Sequence, residues 1–149
     1  MSDYAAVFDM DGVLLDSESK PEWLNKAVIK TLEFLEIPVT KRNMEYLYPK
    51  NIRRINDISR ILGIPPDKLW EVRNKFYKAE KINAIKSRMI TPFEDVKYLY
   101  LLKDKYEIDI ISNSPQEVVD VFISEYGYGD LFTYSIGCLL YTSDAADEG

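Results

Sequence analysis

Asp9 and Asp11 are the residues whose type and spacing best suit chemistry in this 149-residue chain. They stand two apart at the end of the apolar run Tyr4-Ala-Ala-Val-Phe8, which reads as a buried strand closed by a turn. Side chains alternate across a strand, so this spacing turns both carboxylates to one side and Met10 to the other. Two acids in one crevice repel unless one is protonated or a cation joins them, and a hard, oxygen-liking Mg²⁺ resolves that repulsion. Beside a phosphate ester the same ion would screen the ester's charge. Asp9 then suits a nucleophile that forms an aspartyl-phosphate, and Asp11 a group that protonates the leaving oxygen and later deprotonates water. Gly12 supplies permissive backbone for the turn. An ordinary strand-ending turn would use the same Asp-Met-Asp-Gly tetrapeptide. A calcium EF-hand loop is disfavoured, because it needs a further acid before its glycine and a preceding helix.

Composition narrows the chemistry further. The chain has no histidine, which removes histidine-based triads, HExxH zinc sites and imidazole bases. Its single cysteine, Cys138, permits neither an internal disulfide nor a CxxC site. A formal charge of −6 argues against a nucleic-acid binder that works by neutralising phosphates. No apolar run is long enough to span a bilayer. The apolar strand pattern begins within four residues of the N-terminus, too early for a secretory leader, so a cytoplasmic location is expected.

The elements that must hold the aspartates alternate. After the first strand, Leu24, Ala27, Val28, Leu32 and Leu35 recur at helical spacing from Pro21 to about Glu36. Met44, Leu47 and Tyr48, then Ile52, Ile55, Ile58 and Leu62, continue the pattern on either side of Pro49, with Gly63 as a stop. Leu69, Val72, Phe76, Ala79 and Ile82 mark another helix launched at Ile64-Pro-Pro-Asp67. Residues 93–105 read as a helix, 107–111 as a strand ending in Ser112-Asn-Ser-Pro115, 118–126 as a helix and 131–136 as a third strand. Such alternation favours a parallel sheet whose ligand site lies beyond the carboxyl ends of its strands, where both Asp9/Asp11 and Ser112/Asn113 fall. Three strands are fewer than such a sheet usually has.

The longer string Val7-Phe-Asp-Met-Asp-Gly-Val-Leu-Leu-Asp-Ser-Glu18 resembles the first signature of the haloacid dehalogenase-like (HAD) hydrolases, in the branch of phosphoglycolate phosphatases and β-phosphoglucomutases. Ile110-Ile-Ser-Asn-Ser114 resembles the family's second motif. The resemblance implies an α/β fold. Its Rossmann-like core, a parallel sheet incomplete in this chain, would comprise residues 1–17 and 89–137, with an α-helical cap inserted at 18–88. It implies Asp9 as nucleophile, Asp11 as acid/base, and Mg²⁺ on the Asp9 carboxylate and the Asp11 main-chain carbonyl. Ser112 and Asn113 would hold the transferring phosphoryl group by a hydroxyl and a backbone N–H, a role that suits the start of a helix. Simple capping of the following helix by Ser112 or Ser114 is the other reading of these residues. Arg54 falls roughly where related caps present an arginine to the substrate, although an exposed arginine on an amphipathic helix has the same appearance in sequence.

The family's third motif, a lysine, and its fourth, an acidic pair, would both follow residue 137. Residues 138–148, Cys-Leu-Leu-Tyr-Thr-Ser-Asp-Ala-Ala-Asp-Glu, back-translate to a sequence resembling a transposase adapter used in sequencing libraries. Residues 138–149 are therefore expected to be a non-native tail on a shortened core. The expected activity of the intact protein is Mg²⁺-dependent hydrolysis of a small phosphorylated metabolite, with little or none in this chain. A phosphomutase of the β-phosphoglucomutase type and a non-catalytic interaction protein on the same fold are the alternatives.

Overall fold

A computed structural model describes residues 4–138. The expected tail lies outside the described residues except for Cys138. The chain divides into two compact units: residues 4–21 with 82–138, and residues 22–81.

The first unit is built on three parallel strands, β1 (Ala5–Phe8), β2 (Glu107–Ser112) and β3 (Tyr134–Gly137), in the spatial order β1-β2-β3. Phe8 stands opposite Ile110, and Ser112 opposite Gly137, so the carboxyl ends of the strands are aligned. Ile108 and Ile110 on one face are buried, as are Val118, Val119 and Phe122 of the helix Gln116–Tyr126. The aromatic rings of Tyr126 and Tyr128 flank Phe122 at centroid distances of 6.1 and 5.6 Å.

The opposite face differs from expectation. Val7 is 54% exposed, and Ile111 and Ile136 are 50% exposed. The strand at 5–8 is apolar throughout, yet not buried on both faces. Two other boundaries shift. Residues 93–105 form a 3₁₀ helix at Glu94–Tyr98 and a short helix at Leu99–Leu102, since only Val96 and Leu99, three apart, are buried there. Leu131 and Phe132 are buried ahead of β3 and not within it.

The second unit is helical and carries its own core. Five helices contribute, α1 (Glu22–Phe34), α2 (Lys41–Leu47), α3 (Pro49–Ile52), α4 (Ile55–Leu62) and α5 (Pro66–Lys86), the last continuing into the first unit. The remaining helices are α6 (Leu99–Leu102) and α7 (Gln116–Tyr126). Pro49 occupies the first turn of α3, where a missing N–H costs nothing. Gly63 ends α4 at φ 71°, a left-handed conformation that closes the helix through its N–H to the Ser59 carbonyl. Val28, Leu32, Leu47, Ile55, Ile58 and Leu69 form the buried cluster. Arg73 is also buried. It donates from Nε to the Leu47 carbonyl at 3.1 Å and lies 4.5 Å over the Tyr77 ring, which ties α5 to the end of α2. Lys30 pairs with Glu80 to join α1 and α5.

The fully enclosed Phe122 gives the core of the first unit a clear test. Phe122→Ala should cost about 3–5 kcal/mol, read as a shift in the urea midpoint.

Candidate active site

The loop after β1 is organised around Met10. Its side chain is completely buried, and its carbonyl accepts hydrogen bonds from the N–H groups of Leu14 and Leu15 at 2.9 and 2.8 Å. Gly12 donates to the Leu15 carbonyl at 3.0 Å from φ 76°. This left-handed position suits glycine, and a Cβ there would also meet the Glu18 carboxylate at 3.4 Å. The curled loop is pinned from outside by Asp16 N–H to Thr91 O at 2.8 Å and Phe93 N–H to Leu14 O at 3.0 Å. Burying Met10 while the chain reverses leaves the flanking aspartates outside the core.

Asp9 is exposed, and its Oδ1 accepts the Met10 N–H at 2.8 Å, which orients the carboxylate against its own backbone. Asp11 is held more tightly. The Ser17 hydroxyl donates to its Oδ1 at 2.8 Å and the Ser114 hydroxyl to its Oδ2 at 3.0 Å. Both serines are buried, so each hydroxyl needs a partner, and the carboxylate accepts from both.

Ser114 brings the second loop to the first across 103 positions of sequence. Its N–H donates to the hydroxyl oxygen of the fully buried Ser112 at 3.0 Å. Asn113, between them, is exposed. The capping position of α7 is Pro115, without a side-chain capping bond.

Asp9, Asp11 and Asn113 belong to the two loops at the carboxyl end of the sheet, and Ser112 is the last residue of β2. Arg54 belongs to the helical unit, where its exposed guanidinium lies 3.4 Å from Asp57, itself also 3.4 Å from Arg60. The contact of Ser17 and Ser114 with Asp11 is not legible in the sequence. Their only signal in the sequence is a small hydroxyl residue close to each motif, which turns and caps display equally. An open apolar groove of about 450 Å³ is lined by Tyr4, Ala5, Ala6, Leu102 and Tyr106, and none of the site residues lines it.

The donor set is wholly oxygen, which fits a hard divalent cation better than zinc or copper. Among the described residues no group of three or more acidic, histidine or cysteine side chains converges. A cation here would thus rest on the aspartate pair, main-chain oxygen and water, an arrangement familiar for Mg²⁺. No helix among the described residues is long and apolar enough to cross a membrane.

The family described as haloacid dehalogenase-like hydrolase matches residues 6–142. No curated protein sequence matches the chain. Among solved structures, a predicted phosphatase from Clostridium acetobutylicum aligns with a TM-score of 0.65 at 17% identity, covering 99% of this chain and 68% of its own. A predicted phosphoglycolate phosphatase from Haemophilus somnus aligns with a TM-score of 0.61 at 19% identity, over 92% of this chain and 64% of its own. CbbY from Rhodobacter sphaeroides, solved in complex with phosphate, gives a TM-score of 0.60 at 13% identity, over 93% and 65%. At these identities the likeness speaks for the fold, an α/β Rossmann-like one. The chain spans about two thirds or less of the length of these structures.

The two hydroxyl contacts can be weighed separately. Ser114→Ala removes a hydrogen bond to a charged group and should lower stability by about 1.5–3 kcal/mol in urea unfolding. An unchanged midpoint would mean that the Ser114 hydroxyl does not restrain Asp11.

Proposed function

The chain belongs to the haloacid dehalogenase-like hydrolases, and from that premise we propose that the whole protein is a Mg²⁺-dependent phosphatase of small phosphate monoesters working through an aspartyl-phosphate. The observation that carries this reading is the Ser114 hydroxyl on Asp11, which joins the acidic loop after β1 to the hydroxyl-rich loop after β2.

In this reading Asp9, exposed and oriented by the Met10 N–H, attacks phosphorus. The P–O bond to the leaving group breaks as the Asp9–phosphorus bond forms. Asp11 gives a proton to the departing oxygen, then takes one from the water that hydrolyses the acyl phosphate and regenerates Asp9. The Ser17 and Ser114 hydroxyls hold the Asp11 carboxylate in one orientation, which restricts where its proton can be delivered. Ser112 and the backbone at Asn113 receive the phosphoryl oxygens. The Asp9 carboxylate and the Asp11 main-chain carbonyl would hold Mg²⁺, whose charge offsets that of the phosphate against the aspartates. Residues 18–88 would act as a cap, and Arg54 is proposed as its contact with an anionic substrate.

The test is turnover of a small phosphate monoester such as p-nitrophenyl phosphate by the whole protein, restored beyond residue 137, with and without Mg²⁺. Asp9→Asn should lower kcat by at least about a thousandfold, as expected for loss of a nucleophile. Removing Mg²⁺ with a chelator should have a comparable effect, restored by adding the ion back. Undiminished turnover by Asp9→Asn would take the nucleophile role from this residue.

A further inference from the structure

We infer that Gln116 and Gly137 form a clamp that sets where the Ser112–Ser114 loop stands relative to Asp11. Gly137 closes β3, and its backbone lies against the start of α7. A Cβ at this position would stand 2.7 Å from the Cα and N of Gln116 and from the carbonyl oxygen of Ser114. All three are backbone atoms, so no rotamer change could relieve the overlap. The close approach therefore requires glycine, and it fixes the Ser114–Gln116 backbone directly against the end of β3.

The Gln116 side chain locks the same junction from the other direction. Its Oε1 accepts the Gly137 N–H at 2.7 Å, and its Nε2 donates to the Ser135 carbonyl at 3.0 Å. One planar amide thus meets a donor and an acceptor two residues apart on β3, as the backbone of a neighbouring strand would. A further bond from Nε2 to Asp120 Oδ1 at 3.0 Å holds the amide from α7 itself. Just past β3, the Cys138 N–H bonds the Ser112 carbonyl at 2.8 Å.

The loop needs such a device because the usual one is missing. Pro115 stands at the capping position of α7 without a side-chain capping bond, and so does not fix the direction in which the helix leaves the loop. The Gln116–Gly137 contact supplies that direction. One residue earlier, Ser114 delivers its N–H to Ser112 Oγ and its hydroxyl to Asp11 Oδ2. Gln116 and Gly137 are positioning residues. Their importance for phosphate rests on the function proposed above, while their hold on the loop does not.

The test compares the full chain with Gln116→Ala, Gln116→Glu and Gly137→Ala, by amide hydrogen exchange and by titration with inorganic phosphate in the presence of Mg²⁺. Exchange of the Ser114 N–H should accelerate about fivefold in Gln116→Ala, the equivalent of one ordinary hydrogen bond, and more in Gly137→Ala. Amides of Val119 and Phe122, in the middle of α7, should stay as protected as before. Gln116→Glu keeps the acceptor for Gly137 and loses the donor to Ser135, and should fall between Gln116→Ala and the unaltered chain. Affinity for phosphate should fall in the same order.

An unaltered Ser114 rate in both Gln116→Ala and Gly137→Ala overturns the clamp. So does a uniform rise across α7 and β3, which would mark a contribution to general stability only. Undiminished phosphate affinity in Gln116→Ala also overturns it. If Ser114 responds as expected while the whole protein, restored beyond residue 137, binds no phosphate, the clamp stands and the phosphatase reading falls.

Discussion

The Asp11 carboxylate, shared between the hydroxyls of Ser17 and Ser114, is the interaction on which the site depends. Its physics is reciprocal. Two buried hydroxyls left without partners would each carry a desolvation cost, and a carboxylate at the edge of a core needs donors on both oxygens. Each group answers the other's requirement, and in doing so ties the end of one strand's loop to the start of another's. The parallel register makes this possible, because Phe8 opposite Ile110 brings the exits of β1 and β2 side by side.

Around that contact the fold separates two tasks. Backbone placement comes from the sheet and from Met10, whose buried side chain and shared carbonyl let the chain reverse within a few residues. Chemical groups are then carried on the reversing segments, where carboxylates and hydroxyls can face outward without disturbing the core. The helical residues inserted between β1 and β2 keep a core of their own, centred on Leu32, Leu47 and Ile55. An insertion that buries its own apolar surface can differ in detail from one family member to another while the strand ends keep their arrangement, which suits a family that shares a core.

Much of this organisation is visible in the amino-acid order. The helical spacing of Ala27, Val28 and Leu32, the stop at Gly63 and the apolar run ending at Asp9 follow from local periodicity and turn chemistry, and such signals survive without knowledge of the fold. The signature around Asp9 and Asp11 was equally plain. Local pattern misleads where burial depends on what lies across the sheet. Val7 and Ile111 have the composition of strand residues covered on both sides, but their face of the sheet is half exposed. Likewise, Leu131 and Phe132 look like strand residues and are buried in a turn.

The residue order alone was enough to determine the alternation of elements, the carboxylate pair and the family, since each depends on residues adjacent or regularly spaced along the chain. Only the tertiary structure decided that Ser17 and Ser114 donate to Asp11, that Pro115 stands at the capping position of α7, and that Gly137 is required by its approach to Gln116. The reason is physical: a hydroxyl or a missing Cβ acquires its role from the atoms a few ångströms away, and those atoms come from strands that are neighbours in the sheet but distant in the chain.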